Sequence, residues 1–173
     1  MDKIKTILFA ASLTENSRSY FSVSSSLAAQ LKAGIFILHV MEGLQETYEG
    51  IAVAIFGEEK WRTILHEHRQ NDIQFAFKDN DLEKQIVKAV LGEFCSDADK
   101  NSKEFRAVKR DIIVSDGNIV EEILRQAKRN RCDLIVMGTS RGNSSGTSTS
   151  PHIQSVIKKT AVPVVLAPLP SHL

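Results

Sequence analysis

The sequence predicts an α/β fold in which helices flank a doubly wound parallel sheet. Short apolar runs of strand length recur along the chain, as expected for strands that are buried on both faces of a sheet. The stretches between these runs carry apolar residues at helical spacing. An alternation of strands and helices favours right-handed crossovers and parallel pairing. The five predicted strands span residues 4–10, 35–41, 108–114, 133–138 and 163–167.

One helix is predicted between the first two strands, which makes a complete βαβ unit. Ser17 can cap the start of this helix, and Gly34 stands where a left-handed residue is expected at its end. The apolar and small residues at helical spacing are Phe21, Ser24, Leu27, Ala28 and Leu31.

The second half of the sequence repeats this scheme after residue 108. Asp116-Gly117-Asn118 predicts a turn and the start of a helix whose inner face begins at Ile119 and Ile123. Further along, Ser150-Pro151 predicts the cap and first residue of a short helix before the last strand.

The middle of the chain, about residues 43–104, predicts no strand and is expected to be a helical insertion in a single domain. Trp61 lies in one amphipathic pattern, and a second pattern begins at Leu82. Val87 and Leu91 lie beside the main stripe of the second helix. They favour a helix that is sunk deeper in the fold, and the alternative is a surface for a protein partner.

Composition and charge argue against several classes of protein. The chain has 173 residues with 22 basic and 21 acidic side chains, so no charge excess favours nucleic acid or an anionic membrane. The apolar run at residues 7–11 is too short for a signal-peptide core or a membrane span. Cys95 and Cys132 have no second cysteine at metal-binding spacing, and a reducing compartment is the simpler interpretation. We expect a cytoplasmic protein.

A search for catalytic motifs predicts no enzymatic activity. The sequence lacks the glycine-rich motifs of P-loop nucleotidases and dinucleotide-binding enzymes, the hydrolase nucleophile elbow and the zinc-protease motif. His66 and His68 are two positions apart, so on a helix they face different directions and cannot bind one ion. His39 lies within an apolar strand, which favours a hydrogen-bonded core histidine.

The polar segment at residues 138–150 is the most informative part of the sequence. Its small residues allow the backbone to approach a ligand, and its amides and hydroxyls can bind phosphate oxygens. It follows a buried parallel strand near the point where strand order reverses, which is where open α/β sheets bind ligands. A flexible Ser/Gly connector has the same composition, so these two interpretations stay open.

Several stretches along the chain have an order and spacing that are typical of one family. They are residues 5–12 with 15–17, residues 38–42, residues 116–124 followed by 132–139, and residues 162–166. Together they resemble the universal stress protein family, except that the middle of this chain is longer. The resemblance implies a five-stranded sheet in the order 3-2-1-4-5 and a homodimer formed through the last strand. It also implies an adenine-nucleotide site, since part of the family binds ATP and part does not.

This sequence departs from the pattern of the nucleotide-binding members at three points. Ser12 stands where those members have an aspartate that meets the nucleoside, so a carboxylate acceptor is replaced by a hydroxyl. Gly142 comes one place late for the phosphate-loop pattern. Ser150-Pro151 replaces its final Gly-Ser, and proline offers no amide to a phosphate.

The resemblance therefore predicts a regulatory or protective homodimer that binds ATP weakly. The nucleoside is expected over Ala11 and Ser12, with Val40 beside the base. The expected phosphate contacts are Gly138, Ser140, Gly142, Ser144, Thr149 and Ser150. The alternative is a ligand-free protein interaction module of the same fold. An adenylate-forming enzyme is disfavoured because neither signature of that group occurs.

Overall fold

A computed structural model of the protein describes residues 2–14, 16–42, 48–71, 79–139 and 150–168, with side chains except at 68–71 and 79–81. The strands form one parallel sheet in the order β3-β2-β1-β4-β5, which confirms the predicted fold and topology. Their bounds are β1 Thr6–Ala10, β2 Gly34–Met41, β3 Arg110–Asp116, β4 Leu134–Gly138 and β5 Val164–Ala167.

Helices cover both faces of the sheet. Their bounds are α1 Ser17–Leu31, α2 Tyr48–Phe56, α3 Glu58–Asn71, α4 Asp79–Asn101, α5 Lys103–Arg106, α6 Ile119–Arg129 and α7 Pro151–Lys159. The core on one face is shared by α1 and the helices between β2 and β3, and the core on the other face is shared by α6 and α7. Among the described residues, no helix has the length and apolar character that crossing a bilayer requires.

Three predicted strand boundaries, the start of β1 and both ends of β3, were wrong by two residues. The carboxylate of Asp133 accepts the amides of Lys5, at 2.8 Å, and Thr6, at 3.0 Å, so the ladder of β1 begins only at Thr6. Val108 donates its amide to the carbonyl of Phe105 in the turn after α5, so it cannot pair in β3. That strand instead extends to Asp116, which was predicted to be part of a turn.

The ends of α1 also differ from their predictions. Ser17 is the first residue of the helix and not its cap, because its hydroxyl bonds backward to the carbonyl of Ser12 and accepts the amide of Thr14. At the other end, Lys32 takes the left-handed conformation with φ 51°. Gly34 opens β2 instead.

The helices between β2 and β3 bury most of their apolar side chains in the core. Val87 and Leu91 are fully buried, which confirms the deeper helix over the partner surface. Trp61 is also buried, and its ring stacks on Phe56. The sequence analysis missed α2, whose apolar residues surround the helix without a clear stripe, and the single turn of α5.

The predicted starts of the last two long helices are confirmed. Gly117 has φ 132°, a conformation that glycine adopts without strain, and Asn118 caps α6 by accepting the amide of Glu121 at 3.0 Å. Pro151 begins α7 after the cap residue Ser150. Both cysteines are buried free thiols, and burial raises the pKa of each to about 11.

Candidate functional site

A cavity of about 490 Å³ lies at the carboxyl ends of β1, β2 and β4, where the strand order reverses. Its size is within the range of small-molecule sites. Five residues that the sequence analysis assigned to nucleotide contact line this cavity together: Ala11, Ser12, Val40, Gly138 and Ser150. The other four predicted contacts, at Ser140, Gly142, Ser144 and Thr149, lie outside the described residues.

The backbone of Val40 faces the opening that β1 leaves when it ends. Ile35 and Met41 bond to the β3 side, so odd-numbered residues of β2 direct their amides and carbonyls toward β3. Even-numbered residues direct theirs toward β1, and the carbonyl of Leu38 accepts the amide of Ala11 at 2.7 Å. Pairing with β1 stops there. The amide and carbonyl of Val40 therefore face the cavity, without a hydrogen-bond partner among the described residues.

His39 ties the end of β1 to helix α2. Its Nδ1 lies 2.7 Å from the carbonyl of Ala11, and its Nε2 lies 3.0 Å from the hydroxyl of Tyr48. Because a carbonyl only accepts, Nδ1 carries the hydrogen, and in the neutral ring Nε2 accepts from Tyr48. His39 is buried, so the predicted hydrogen-bonded core histidine is confirmed.

Helix α2 forms a wall of the cavity that the sequence analysis did not predict. Tyr48 and Ile51 line it from the side opposite Ile119 and Ile153, which belong to α6 and α7. The apolar run of α2 gave no signal that would point to a ligand. The pairing of Tyr48 with His39 places this helix at the site.

Gly138 is required by a neighbouring side chain. A Cβ at this position would lie 2.4 Å from the ring of Tyr20, so only glycine fits against it. The hydroxyl of Tyr20 also donates to the carbonyl of Thr139, the next residue along the chain. Burial raises the pKa of this phenol. The predicted reason for a small residue here, close approach of a ligand, was therefore incomplete, because the tyrosine already occupies one side of Gly138.

The start of α7 offers few amides to an anion. Pro151 has none, and the amide of Ile153 is taken by the hydroxyl of Ser150 at 3.3 Å. In the first turn this leaves the amide of His152, a residue that lines the cavity. The hydroxyl of Ser150 accepts from Ile153 and so keeps its own hydrogen for donation.

The described lining of the cavity carries little positive charge. It contains no lysine or arginine, and its one carboxylate is Glu42. Glu42 accepts the amide of Ile119 at 3.3 Å, while Asn118 caps the same helix. The start of α6 is therefore already paired with a negative charge from the protein.

A second groove, of about 450 Å³, lies between α1 and α4 on one face of the sheet. Arg18 and Asp97 form an ion pair at 2.8 Å among the residues that line it. In the part of the chain that the structure describes, no cluster of three or more histidine, cysteine or acidic residues is arranged to hold a metal ion.

Comparison with known proteins finds one matching family model, that of the universal stress protein family, over residues 3–168. No curated protein sequence matches this chain. Among solved structures, the chain is similar to the universal stress protein UspA from Lactobacillus plantarum, with 13% identity, a TM-score of 0.56, and coverage of 96% of this chain and 99% of that one.

Two similar structures contain nucleotides. A universal stress protein in complex with cAMP has 13% identity and a TM-score of 0.56, with 98% of this chain and 100% of that chain covered. A universal stress protein from Archaeoglobus fulgidus in complex with dAMP has 14% identity and a TM-score of 0.55, with 95% and 98% covered. At 13–14% identity, this similarity shows a shared fold alone.

Proposed function

Because this chain belongs to the universal stress protein family, we propose that it is a homodimeric regulatory or protective module that binds an adenine nucleotide weakly. The nucleotide would occupy the cavity at the carboxyl ends of β1, β2 and β4. The proposal depends above all on one observation, the backbone of Val40 that faces this cavity. Two relatives of the same fold hold cAMP and dAMP, which supports an adenine nucleotide as the ligand class.

An unpaired amide and carbonyl on one residue suit the edge of an adenine base. Adenine presents an acceptor nitrogen beside an amino group, so one residue can donate to the first and accept from the second. The neighbouring wall is apolar, with Leu38, Met137 and Ile123 among the lining residues. Apolar walls with a few polar groups that fix orientation are typical of cofactor sites.

The expected affinity is low because the described lining offers little to the phosphates. No described lysine or arginine lines the cavity, and in the first turn of α7 one amide, that of His152, has no hydrogen-bond partner among the described residues. Ser12 offers the ribose a hydroxyl in place of a carboxylate. Since a lost hydrogen bond to a charged group costs roughly 1.5 to 3 kcal/mol, the affinity should be at least about tenfold below that of a site with the full motif.

The proposed dimer forms through β5. This strand lies at one edge of the sheet, and its outer side carries backbone groups that pair with no described strand. Val164, Val165 and Leu166 are each half-buried in the single chain. A second copy of the chain on this edge would cover them and pair the exposed backbone.

Calorimetric titration with ATP, ADP and AMP at one magnesium concentration tests the nucleotide proposal. We expect weak binding, with dissociation constants larger than micromolar. The variant Ser12→Asp, which offers the ribose a carboxylate, should bind about tenfold more tightly. The control is Ser22→Asp, which adds the same charge on the exposed face of α1, outside the cavity. No binding at millimolar nucleotide would overturn the proposal, and submicromolar affinity would overturn the argument for weakness.

A further inference from the structure

His152 is the second residue of α7 and belongs to the described lining of the cavity. The residue is exposed, and its imidazole makes no hydrogen bond or ion pair with any described residue. Histidine is the side chain whose charge ordinarily changes near neutral pH. The other histidine of the described lining, His39, is buried, and both of its ring nitrogens already have partners in the protein. Of the two, His152 is therefore the one whose ring is available to a ligand.

The order of the strands directs the phosphate end of a bound nucleotide toward His152. Strands β2, β1 and β4 are neighbours in the sheet, and adjacent strands lie about 4.8 Å apart. In the proposed arrangement the base pairs with Val40 in β2 and the sugar lies over Ser12, after β1. The next position in the same direction is the end of β4, where Gly138 and Ser150 line the cavity together with His152. The phosphate therefore reaches the start of α7.

Three hydrogen-bond donors at the start of α7 are available to this phosphate. Two are neutral, the hydroxyl of Ser150 and the amide of His152. The third is the imidazole of His152, which is a cation when both of its nitrogens are protonated. The positive end of the helix dipole attracts an anion and opposes a second cation, so the imidazolium gains most when a phosphate lies against it. No lysine or arginine of the described lining competes for this role.

We infer that the imidazole of His152 contacts the phosphate of the bound nucleotide and that its protonation strengthens binding. The inference rests on the proposed function, because it needs a nucleotide in the cavity. A cationic ring attracts the phosphate and a neutral ring does not, so the affinity rises as the pH falls through the range in which histidine gains its proton. An ion pair at a solvent-exposed position strengthens binding by up to about fivefold.

Other titratable groups face the same cavity from neighbouring elements. They are Glu42 after β2, His39 in β2 and Tyr48 in α2. Carboxyl groups and phenols ordinarily titrate near about pH 4 and about pH 10, outside the range of histidine. His39 bonds to Ala11 and Tyr48, so a change in its charge would act on the nucleoside end of the cavity, with or without a phosphate.

Helix α6, which packs against α7, adds no charge to the described lining. It presents Ile119 and Ile123 to the cavity, and the carboxylate of Glu122 is bonded to Arg125. The lysines of α7 lie in its last turn, at the opposite end from His152. A pH dependence that requires the phosphate therefore points to His152.

The test is a calorimetric titration of cAMP and of adenosine at about pH 5.5 and about pH 8, at one salt concentration. cAMP is a phosphodiester and keeps a single negative charge at both values, whereas a monoester such as AMP gains a proton near about pH 6. Adenosine presents the same base without a phosphate. Wild-type protein should bind cAMP about fivefold more tightly at the lower pH and should bind adenosine equally at both.

Two variants assign the effect to a residue. His152→Gln keeps a hydrogen-bond donor that cannot become charged, so its binding of cAMP should no longer depend on pH. The control is His66→Gln, in α3 and outside the cavity, which should keep the pH dependence of wild type.

The outcomes separate the inference from the proposed function. Equal binding of cAMP at the two pH values would overturn the inference and leave the proposed function standing. A pH dependence that adenosine shares, or that persists in His152→Gln, would assign the titration to another group and would also overturn it. If neither ligand binds wild-type protein at millimolar concentration at either pH, the proposed function fails together with the inference. The comparison of cAMP with adenosine on wild-type protein tests the inference even if His152→Gln does not fold.

Discussion

Replacing Gly138 with alanine drives a methyl group into the ring of Tyr20. The added Cβ would lie 2.4 Å from Cδ2 and 2.6 Å from Cε2 and Cγ of that ring. Carbon atoms that are not bonded pack at about 3.5 to 4.0 Å, so the ring or the strand must move by about 1 Å. The ring has little room, because Tyr20 is 4% exposed and its hydroxyl bonds to Thr139.

Overpacking of this kind costs about 1 to 3 kcal/mol, and the short contacts place Gly138→Ala near the upper end. Tyr20→Ala alone removes a large buried ring and should cost roughly 3 to 5 kcal/mol, as for other buried aromatic residues. In the double variant the methyl group has no ring to meet. We therefore expect a favourable coupling energy of about 2 kcal/mol between the two positions.

Urea unfolding, followed by the fluorescence of the single tryptophan, Trp61, gives the free energy of unfolding of wild type, of both single variants and of the double variant. These four values form a double-mutant cycle. The control is Gly92→Ala in α4, where an added Cβ meets no atom within 4 Å. That substitution should stabilise the protein by about 0.5 to 1 kcal/mol, as expected in a helix interior. The reasoning is refuted if the free energy of unfolding of Gly138→Ala lies within about 0.5 kcal/mol of the wild-type value. It is also refuted if the alanine at position 138 lowers that free energy equally with and without the ring of Tyr20.

Three further predictions concern α6 and β5. The Arg125 guanidinium beside Glu122 is the main reason that the pKa of this carboxyl is about 2, below its ordinary 4.5. The ionised carboxylate of Glu122 therefore stabilises the fold fully above pH 4.5, and this contribution is lost as the pH falls toward 2. In Glu122→Gln the free energy of unfolding should fall less steeply with pH over this range, and an unchanged pH dependence would contradict this. Asn118→Ala removes the cap of α6 and should lower the free energy of unfolding by about 1 kcal/mol in urea titrations, whereas no change would argue against the cap. Val165→Asp should yield monomers in light scattering while the exposed Thr63→Asp stays dimeric, and a dimeric Val165→Asp would place the interface elsewhere.

Much of the fold could be predicted because its signals are local. Strands buried on both faces appear as continuous apolar runs, and the turn at Gly117 and the cap at Ser150 use residue types with strong conformational preferences. The errors arose where tertiary contacts decide the outcome. The carboxylate of Asp133, far away in sequence, sets the start of β1, and no pattern within residues 4–10 reveals it.

The residues of the candidate site, too, could be predicted only in part. Ala11 and Ser12 follow a predicted strand, Val40 and Gly138 lie at the carboxyl ends of two others, and Ser150 precedes a predicted helix. The topology alone therefore brings these five residues to one edge of the sheet. The role of Tyr20 could not be predicted, because its contact with Gly138 joins residues more than a hundred positions apart. Glu42 and Tyr48 were missed as lining residues for a related reason, since only the folded chain turns both toward the cavity.

The central claim is that an adenine nucleotide binds in the cavity at the carboxyl ends of β1, β2 and β4. Amide chemical shifts in a ¹H–¹⁵N NMR titration with millimolar ATP test it most directly. The account predicts that the amides of Ala11, Val40 and Gly138 shift with saturation, while that of Gly92 in α4 does not. Unchanged spectra, or shifts confined to residues of the groove between α1 and α4 such as Asn101, would contradict it.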